Sequence, residues 1–441
     1  MNCDVVVVGA GPSGLSAARA LGRKNLNVIV VDRKAFARDI NIGIMEMLSL
    51  QPNKIDVTDE KIVFKESDFE LNRKKAVRSE IYGFAAFSPC LNSLAMVSEF
   101  PTNFSVDYKY WIEKLEEEAL QAGAKIFCRV EVTGLIFDKE RVAGIKCVDE
   151  KGKEFAIRAN ITIGADGIRS KVSRFSGFKK ERWGIHRIIG CRIKNFDIRL
   201  TKAGRGFNPV YHNMYLGSRF VGPNTLGISA YLGENEIYII NVIQTNDIYE
   251  KPEISPKDSL NKFILFLKNH PHCSEAYRKA TREKKFCFLL PVDSPVAKPF
   301  EKSGVFLIGD AAFTIETQWT GAMAVATEAS KSIFNVLNNE RRTDEYFSEY
   351  EKWWARFVKN AKRQFDFTTF MHSLDDEELD EFMGLFEEEI KLEHLAGTDD
   401  EFGTPNEFII RVNEKLSRTN PDEIKSPKIK MVVKMIQGQN G

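Results

Sequence analysis

Residues 5–14 have the sequence VVVVGAGPSG, and the rest of the fold is predicted outward from this stretch. Four consecutive β-branched residues are typical of a strand that is buried on both faces. Glycines follow at positions 9, 11 and 14, and residues 15–21 then carry apolar side chains at helical spacing. A second apolar strand, Val28 to Val31, ends in Asp32. The pattern predicts a strand–turn–helix–strand unit of a parallel sheet.

The Gly-x-Gly-x-x-Gly pattern in this unit has the properties that a dinucleotide pyrophosphate requires. Gly9 permits the tight turn, Gly11 lets the pyrophosphate approach the backbone, and Gly14 lets helix and strand pack closely. The helix N-terminus supplies N–H groups and a positive dipole to the phosphates, and Asp32 accepts hydrogen bonds from a ribose. The pattern by itself does not separate FAD from NAD(P). The residues predicted to contact the dinucleotide here are Gly9, Gly11, Pro12, Ser13, Gly14, Asp32 and Arg33.

The composition excludes several classes of protein. The 441 residues include 63 Lys and Arg against 62 Asp and Glu, and no long basic block occurs, so nucleic acid is not expected as a partner. The seven cysteines are dispersed without a C-x-x-C pair, which predicts reduced thiols in a cytoplasmic protein and no metal site. Neither a secretory signal nor a membrane-spanning helix is predicted.

Two later segments bear on which dinucleotide is bound. Residues 164–170, GADGIRS, resemble the "DG" segment of the para-hydroxybenzoate hydroxylase-like flavoproteins, and residues 309–312, GDAA, resemble their "GD" segment. In that superfamily the Asp of the second segment holds the ribityl chain of FAD. The resemblance therefore implies FAD as the cofactor, with Asp166, Gly167, Gly309 and Asp310 at its site.

Within that superfamily the chain is similar to the geranylgeranyl reductase family of archaeal lipid synthesis. The similarity is carried by Val106-Asp107, by Ala-Gly-Ala at residues 122–124, and by LDDEEL at residues 374–379. In the family, the helix that begins near Gly321 directs its N–H groups at the flavin. The resemblance therefore implies backbone contacts from Thr320, Gly321 and Ala322.

The chain also departs from that family in two places. The segment from Phe313 to Trp319 lacks the usual proline, and Thr-Gly-Ala-Met at residues 320–323 replaces the Thr-Gly-x-Gly turn. The Tyr-x-Trp-x-Phe-Pro stretch of prenyl reductases is absent as well. These departures affect the predicted substrate more than the predicted binding of FAD.

The predicted fold class is α/β, with a Rossmann-like FAD-binding domain, an antiparallel-sheet substrate domain and a helical C-terminal region. Alternating apolar residues between 185 and 245 predict the antiparallel sheet, and no strand is predicted after Asn338. The acidic run from Asp375 to Glu393 is interpreted as a solvated helix face. The expected domains are residues 1–52, 105–180 and 285–340 for FAD, residues 53–104 and 181–284 for the substrate, and residues 341–441 for the helical region.

The resemblance implies a reductase that delivers a hydride from N5 of FAD to a carbon–carbon double bond of an apolar isoprenoid-type substrate. Two other hypotheses remain: a monooxygenase, which uses the same FAD segments, and a flavin-binding protein that has lost catalysis through the altered turn after Asp310. The sequence identifies neither the catalytic side chain, nor the oligomeric state, nor the electron donor, which is NAD(P)H or ferredoxin. Lysines alternate with apolar residues over 428–436, which indicates either peripheral contact with an anionic membrane surface or a packed terminal segment.

Overall fold

The computed structural model describes residues 1–39, 47–50, 54–245, 249–296, 298–300, 304–313, 318–339, 343–386, 388–392 and 406–439. Its strands, in chain order, are β1 (Asn2–Val8), β2 (Val28–Asp32), β3 (Met47–Ser49), β4 (Ile55–Val57), β5 (Lys61–Phe64), β6 (Phe69–Asn72), β7 (Val77–Ile81), β8 (Gly83–Phe87), β9 (Ser93–Ser98), β10 (Asn103–Val106), β11 (Lys125–Cys128), β12 (Val130–Asp138), β13 (Arg141–Asp149), β14 (Glu154–Gly164), β15 (Arg182–Lys194), β16 (His212–Leu216), β17 (Thr225–Gly233), β18 (Glu236–Thr245), β19 (Thr281–Asp293), β20 (Val305–Leu307) and β21 (Ile390–Leu392).

The helices lie between these strands and dominate the C-terminal part of the chain. They are α1 (Pro12–Gly22), α2 (Arg73–Ala76), α3 (Tyr108–Gln121), α4 (Lys171–Phe175), α5 (Pro256–Asn269), α6 (Gln318–Asn338), α7 (Thr343–Ser373), α8 (Asp376–Gly384), α9 (Asn406–Arg418) and α10 (Pro427–Gln439). Local signals explain several of the boundaries. The Asp107 side chain caps the start of α3, and Ser255 caps α5, which has Pro256 in its first turn. No helix among the described residues is both long and apolar enough to cross a bilayer.

The first sheet positions the glycine-rich turn. Its strands lie in the order β11-β2-β1-β14-β13-β12, and β20 pairs with the C-terminal end of β14. The strands β1, β2, β11, β14 and β20 run parallel, and the antiparallel hairpin of β12 and β13 extends the sheet. Val5, Val6 and Val7 have no exposed surface, as expected of a strand covered on both faces. The carboxyl ends of β1, β14 and β20 therefore meet at one edge, where α/β sheets bind their ligands.

The second large sheet has the order β19-β15-β18-β17-β16-β8-β9-β21. It is antiparallel except where β16 pairs with β8 and where β21 pairs with β9. One face packs on α5 through residues such as Cys191, Phe263 and Leu267, and the other face carries a separate apolar cluster around Ile188 and Ile240. The predicted fold class, with a Rossmann-like sheet, an antiparallel sheet and a helical C-terminal region, is confirmed.

Residues 53–104 divide their contacts between the two parts of the molecule. Strands β8 and β9 belong to the large sheet, whereas Ile62 on β5 and Phe69 on β6 pack into the same apolar core as β1. Strand β10 pairs with β3 and β7 in a third sheet, and its Phe104 also joins that core. The predicted domain boundaries remain a proposal.

Two expectations about the C-terminal region are wrong. Strand β21 lies beyond Asn338, but its three residues are too short to show a strand pattern in the sequence. The acidic run is not simply a solvated face, because the Asp376 carboxylate accepts a hydrogen bond from the Ser218 N–H (2.7 Å) and the Asp380 carboxylate accepts one from the Cys90 N–H (2.8 Å). These carboxylates fasten α8 to the loops at the edge of the large sheet.

Candidate functional site

The glycine-rich turn is closely packed at two glycines and open at the third. Gly9 has a φ of +108°, and a Cβ on it would lie 2.2 Å from the carbonyl oxygen of Ala165. A Cβ on Gly14 would lie 1.9 Å from the carbonyl oxygen of Gly9. No described atom lies within 4 Å of a Cβ placed on Gly11. The fold therefore requires Gly9 and Gly14, whereas Gly11 leaves open space over the backbone.

The first turn of α1 presents backbone N–H groups at this open space. Its N-cap is Gly11, which makes no side-chain cap, and Pro12 occupies the start of the helix, where its missing N–H costs nothing. Ser13 and Gly14 are buried in the same turn, and the turn contains no acidic residue. Uncapped N–H groups at a helix N-terminus carry a positive partial charge, so this turn is suited to phosphate oxygens.

Asp32 lies beside the turn at the end of β2 and is 7% exposed. Its carboxylate accepts hydrogen bonds from the N–H of Ala10 (2.6 Å) and from the N–H of Lys34 (2.8 Å). Two carboxylate oxygens have about four acceptor positions, so Asp32 can hold the turn and still accept from a ribose hydroxyl. Arg33 is exposed next to it.

Asp166 holds the second segment in place through its own hydrogen bonds. Its carboxylate accepts from the Ser170 hydroxyl (2.5 Å) and from the N–H of Lys171 (2.6 Å), which begins α4. Burial raises the pKa of Asp166, and these hydrogen bonds oppose that effect. Gly167 has a φ of +75° and open space at its Cβ position. Asp166 thus shapes the turn, and the adjacent Gly167 is the part left open to a ligand.

The third segment, at the end of β20, closes against the first. Gly309 has a φ of +56°, and a Cβ on it would lie 2.2 Å from the Ser13 hydroxyl oxygen. Asp310 follows in a short helical turn. Since Gly9 also touches Ala165, the structure brings all three predicted segments together at the carboxyl edge of the parallel strands.

Lys180 joins these segments and was not found from the sequence. Its ammonium donates a hydrogen bond to the carbonyl oxygen of Ala311 (2.7 Å). Burial lowers the pKa of Lys180, and the carboxylates of Asp293, Asp310 and Asp166 raise it in opposition. Lys180 stands in no recognisable motif, and its neighbours are distant in the chain, so no local pattern indicates its position.

The N-terminal part of α6 lines a small cleft of about 40 Å³ that faces β4 and β5. Thr320 and Gly321 line this cleft, and Ala322 is buried directly behind them. On the opposite side the cleft is lined by Ile55 and Phe64. Most of the altered turn that precedes α6, residues 314–317, lies outside the described residues.

The face of the large sheet opposite α5 is apolar and incompletely covered. Ile188, Ile228 and Ile240 are buried in it. Further side chains that pack on this cluster keep part of their surface exposed: Met214, Leu226, Val242, Phe286, Phe288 and Leu290. At the end of β15 that is nearer to the FAD segments, the Trp183 ring contacts Phe313 edge-on at 6.4 Å between centroids. These two rings belong to the core around the first sheet, and the partly exposed apolar face begins further along β15, at Ile188.

Comparison with known proteins gives the same assignment. A family model described as an FAD binding domain matches residues 105–322, and a Thi4 family model matches residues 1–43. A digeranylgeranylglycerophospholipid reductase from Methanosarcina mazei is 26% identical over 74% of this chain and 73% of its own length. The enzyme of the same name from Methanothrix thermoacetophila is 25% identical over 87% of this chain and 91% of its own length.

A solved structure extends the similarity to the whole fold. The geranylgeranyl bacteriochlorophyll reductase-like protein from Thermoplasma acidophilum superimposes with a TM-score of 0.76, at 21% identity over 99% of both chains. The resemblance inferred from the DG and GD segments is confirmed by these relatives, and FAD is confirmed as the cofactor. The chain is an FAD-dependent oxidoreductase that is similar in sequence and fold to the geranylgeranyl reductases.

Proposed function

We propose that the protein reduces carbon–carbon double bonds of an apolar isoprenoid-type substrate: bound, reduced FAD would supply a hydride from N5 to one carbon, and a nearby group or water would supply a proton to the other. The observation that carries the proposal is the partly exposed apolar face of the large sheet, which offers an apolar substrate a wall. The names of the two archaeal relatives, digeranylgeranylglycerophospholipid reductases, support the same substrate class.

The residues around the glycine-rich turn suit the ADP half of FAD in this proposal. The open space at Gly11 and the uncapped N–H groups at the start of α1 fit a pyrophosphate. Asp32 and Arg33 lie where a ribose and its neighbouring polar groups would be held. The proposed ADP-binding set is Gly9, Gly11, Pro12, Ser13, Gly14, Asp32 and Arg33.

The remaining segments suit the flavin half. Gly309 and Asp310 would hold the ribityl chain, and the Asp166-Gly167 turn would close against it. The backbone of Thr320, Gly321 and Ala322 at the start of α6 would stabilise negative charge on the reduced ring, because a helix N-terminus carries a positive partial charge.

The protein's own contribution to the reaction is orientation and exclusion of water. The apolar side chains around Ile188 and Ile228 would hold an isoprenoid chain without offering a hydrogen bond to water. A dry pocket strengthens each electrostatic interaction with the reduced cofactor and prevents side reactions that would consume the reduced cofactor.

The test is turnover under anaerobic conditions. The holoenzyme, chemically reduced, is mixed with an isoprenoid alkene, and the expected product is heavier by two hydrogens in mass spectrometry. Gly11→Val, prepared in the same way, serves as the control with weakened FAD binding and should show correspondingly less turnover. A product that is heavier by one oxygen atom and requires O₂ and NAD(P)H would establish the monooxygenase hypothesis instead. If FAD stays bound but no product forms, the hypothesis of a flavin-binding protein that has lost catalysis would be supported.

We propose that the protein is cytoplasmic and that its last helix, α10, contacts a membrane surface. On α10, Ile429 and Val433 are buried, whereas Met431 and Met435 are 59% and 57% exposed and flank an exposed Lys434. An amphipathic helix that presents Met and Lys together can bind anionic lipid. Wild-type protein should cosediment with anionic vesicles and not with neutral ones, and Met431→Glu with Met435→Glu should abolish this. Equal cosedimentation of the double variant would refute the contact.

A further inference from the structure

Three polar side chains lie together at one end of the large sheet: His372 is buried, and His186 and Gln244 are half-buried. His186 on β15 is paired directly with Gln244 on β18 and with Leu290 on β19. The side chains of His186, Gln244 and Leu290 therefore lie on the apolar face of the sheet, the face away from α5. His372, near the end of α7, is close enough to the His186 ring for the positive charge of one to disfavour that of the other. The residues come from three distant parts of the chain.

These side chains lack the hydrogen bonds that buried polar groups normally make. In the described part of the chain, Nε2 of His186, Oε1 of Gln244 and both ring nitrogens of His372 have no hydrogen-bond partner. His372 is only 6% exposed. Leaving such a group unsatisfied destabilises the fold, so buried polar groups without partners are uncommon. The cluster therefore indicates a ligand that supplies the missing partners.

A cleft of about 620 Å³ opens beside His372, which forms part of its wall. It lies between residues 216–225 and the junction of α7 with α8. The apolar lining includes Leu216, Met371, Leu374 and Leu379. Its acidic lining consists of Glu253, Asp375, Asp376 and Glu377. No Lys or Arg occurs among the described lining residues, so the cleft repels anions.

The donors and acceptors of the cluster are uncharged. Burial lowers the pKa of both His186 and His372 to about 4, so both rings are neutral at pH 7. A neutral imidazole has one N–H donor and one acceptor nitrogen, and the Gln244 oxygen is an acceptor. A hydroxyl group matches this set because it both donates and accepts, and an ether oxygen matches its donors. A phosphate would meet the four carboxylates of the lining, whereas the ammonium groups of Lys262 and Lys428 are already bound to the carbonyl oxygens of Ser218 and Ser373.

We propose that His186, Gln244 and His372 bind the uncharged oxygen end of the substrate, a hydroxyl or ether group, while the isoprenoid chain lies along the apolar face of the sheet. The inference rests on the proposed function, because it assigns the polar end of the same substrate. It excludes a phosphorylated chain end as the group that occupies this cluster.

The first experiment measures binding to the oxidised holoenzyme without a reductant, so that no turnover occurs. Three probes share one isoprenoid skeleton: geranylgeraniol, geranylgeranyl diphosphate and the hydrocarbon that lacks the oxygen. By equilibrium dialysis the alcohol should bind about three- to tenfold more tightly than the hydrocarbon, the range expected for one or two net hydrogen bonds. The diphosphate should bind more weakly than the alcohol.

Variants assign this preference to the cluster. His372→Phe removes both ring nitrogens and should abolish the advantage of the alcohol while leaving hydrocarbon affinity unchanged, and His372→Gln, which retains a donor and an acceptor, should restore part of it. His212→Phe is the matched control, because His212 is 8% exposed and its Nε2 is also unpartnered among the described residues. His212 is the first residue of β16, whereas Leu216, which lines the cleft, is the last. It should leave the ratio of alcohol to hydrocarbon affinity unchanged.

Wild-type protein labelled with ¹⁵N-histidine gives a readout that needs no variant. Geranylgeraniol should shift the ring nitrogen signals of His186 and His372, and the hydrocarbon should not. The proposal is overturned if the diphosphate binds more tightly than the alcohol, or if His372→Phe weakens all three probes equally. If the double bonds are reduced but the alcohol preference does not depend on His372, only this inference fails. If no probe binds, both this inference and the proposed function fail.

Discussion

Gly11 should separate cofactor binding from folding. Its backbone is extended (φ −88°, ψ −175°), which any residue can adopt, and a Cβ there meets no described atom within 4 Å. Gly11→Val therefore introduces no strain, but its side chain occupies the space over the N–H groups of α1. Gly14→Ala is the contrasting variant, since its Cβ would lie 1.9 Å from the carbonyl oxygen of Gly9.

The expected magnitudes follow from this geometry. Loss of one hydrogen bond to a charged phosphate costs about 1.5–3 kcal/mol, so FAD should bind Gly11→Val about 10- to 150-fold more weakly. The free energy of unfolding of the apoprotein should stay within about 0.5 kcal/mol of wild type or rise slightly, because the unfolded chain loses freedom. Gly14→Ala should instead lower the free energy of unfolding by about 1–3 kcal/mol or more, because the backbone must move.

The assay combines two titrations on apoprotein. FAD affinity is measured from the quenching of flavin fluorescence, and stability is measured by urea unfolding in the absence of FAD. Wild-type FAD affinity in Gly11→Val would refute the placement of the pyrophosphate over this residue. An apoprotein of Gly11→Val as unstable as that of Gly14→Ala would show that the open space is filled in solution.

Three further outcomes are expected. Lys180→Met leaves the charge of Asp310 less balanced and should weaken FAD binding about three- to tenfold, whereas Lys180→Arg should be intermediate; unchanged affinity in the fluorescence titration would contradict the bridging role. Asp32→Asn should weaken FAD binding through the lost ribose contact and should not raise the affinity for NADH added alone; calorimetry measures both affinities. Burial lowers the pKa of His212 and His372 from 6.5 to about 4, so the unfolded state binds protons that the folded state does not; the free energy of unfolding should therefore decrease as the pH is lowered from 6.5 to 4, by about 1.4 kcal/mol per pH unit for each histidine. Urea unfolding between those pH values should give a shallower slope for His212→Phe.

The parts of the protein that could be predicted are those whose causes are local. The valine strand, the glycine turn and the following helix are neighbours in the chain, and each glycine reports a backbone constraint at its own position. Helix α3 begins at Tyr108 and ends at Gln121, because Asp107 caps it and the chain turns at Gly123. Strand β16 ends at Leu216, because Gly217 turns the chain with a φ of +95°.

Tertiary structure decided everything that depends on residues distant in the chain. Lys180 donates a hydrogen bond to Ala311 and interacts with the charge of Asp310, and both residues lie more than a hundred positions later in the chain. His186 meets Gln244 through strand pairing and His372 through the packing of α7, and no spacing in the sequence indicates either. The helical pattern of the sequence predicts that the Asp376 carboxylate faces solvent, but in the structure it accepts a hydrogen bond from an N–H on a loop of the large sheet. Local patterns specify backbone conformation and which face is apolar, whereas the neighbours of a polar side chain are specified only when distant elements pack together.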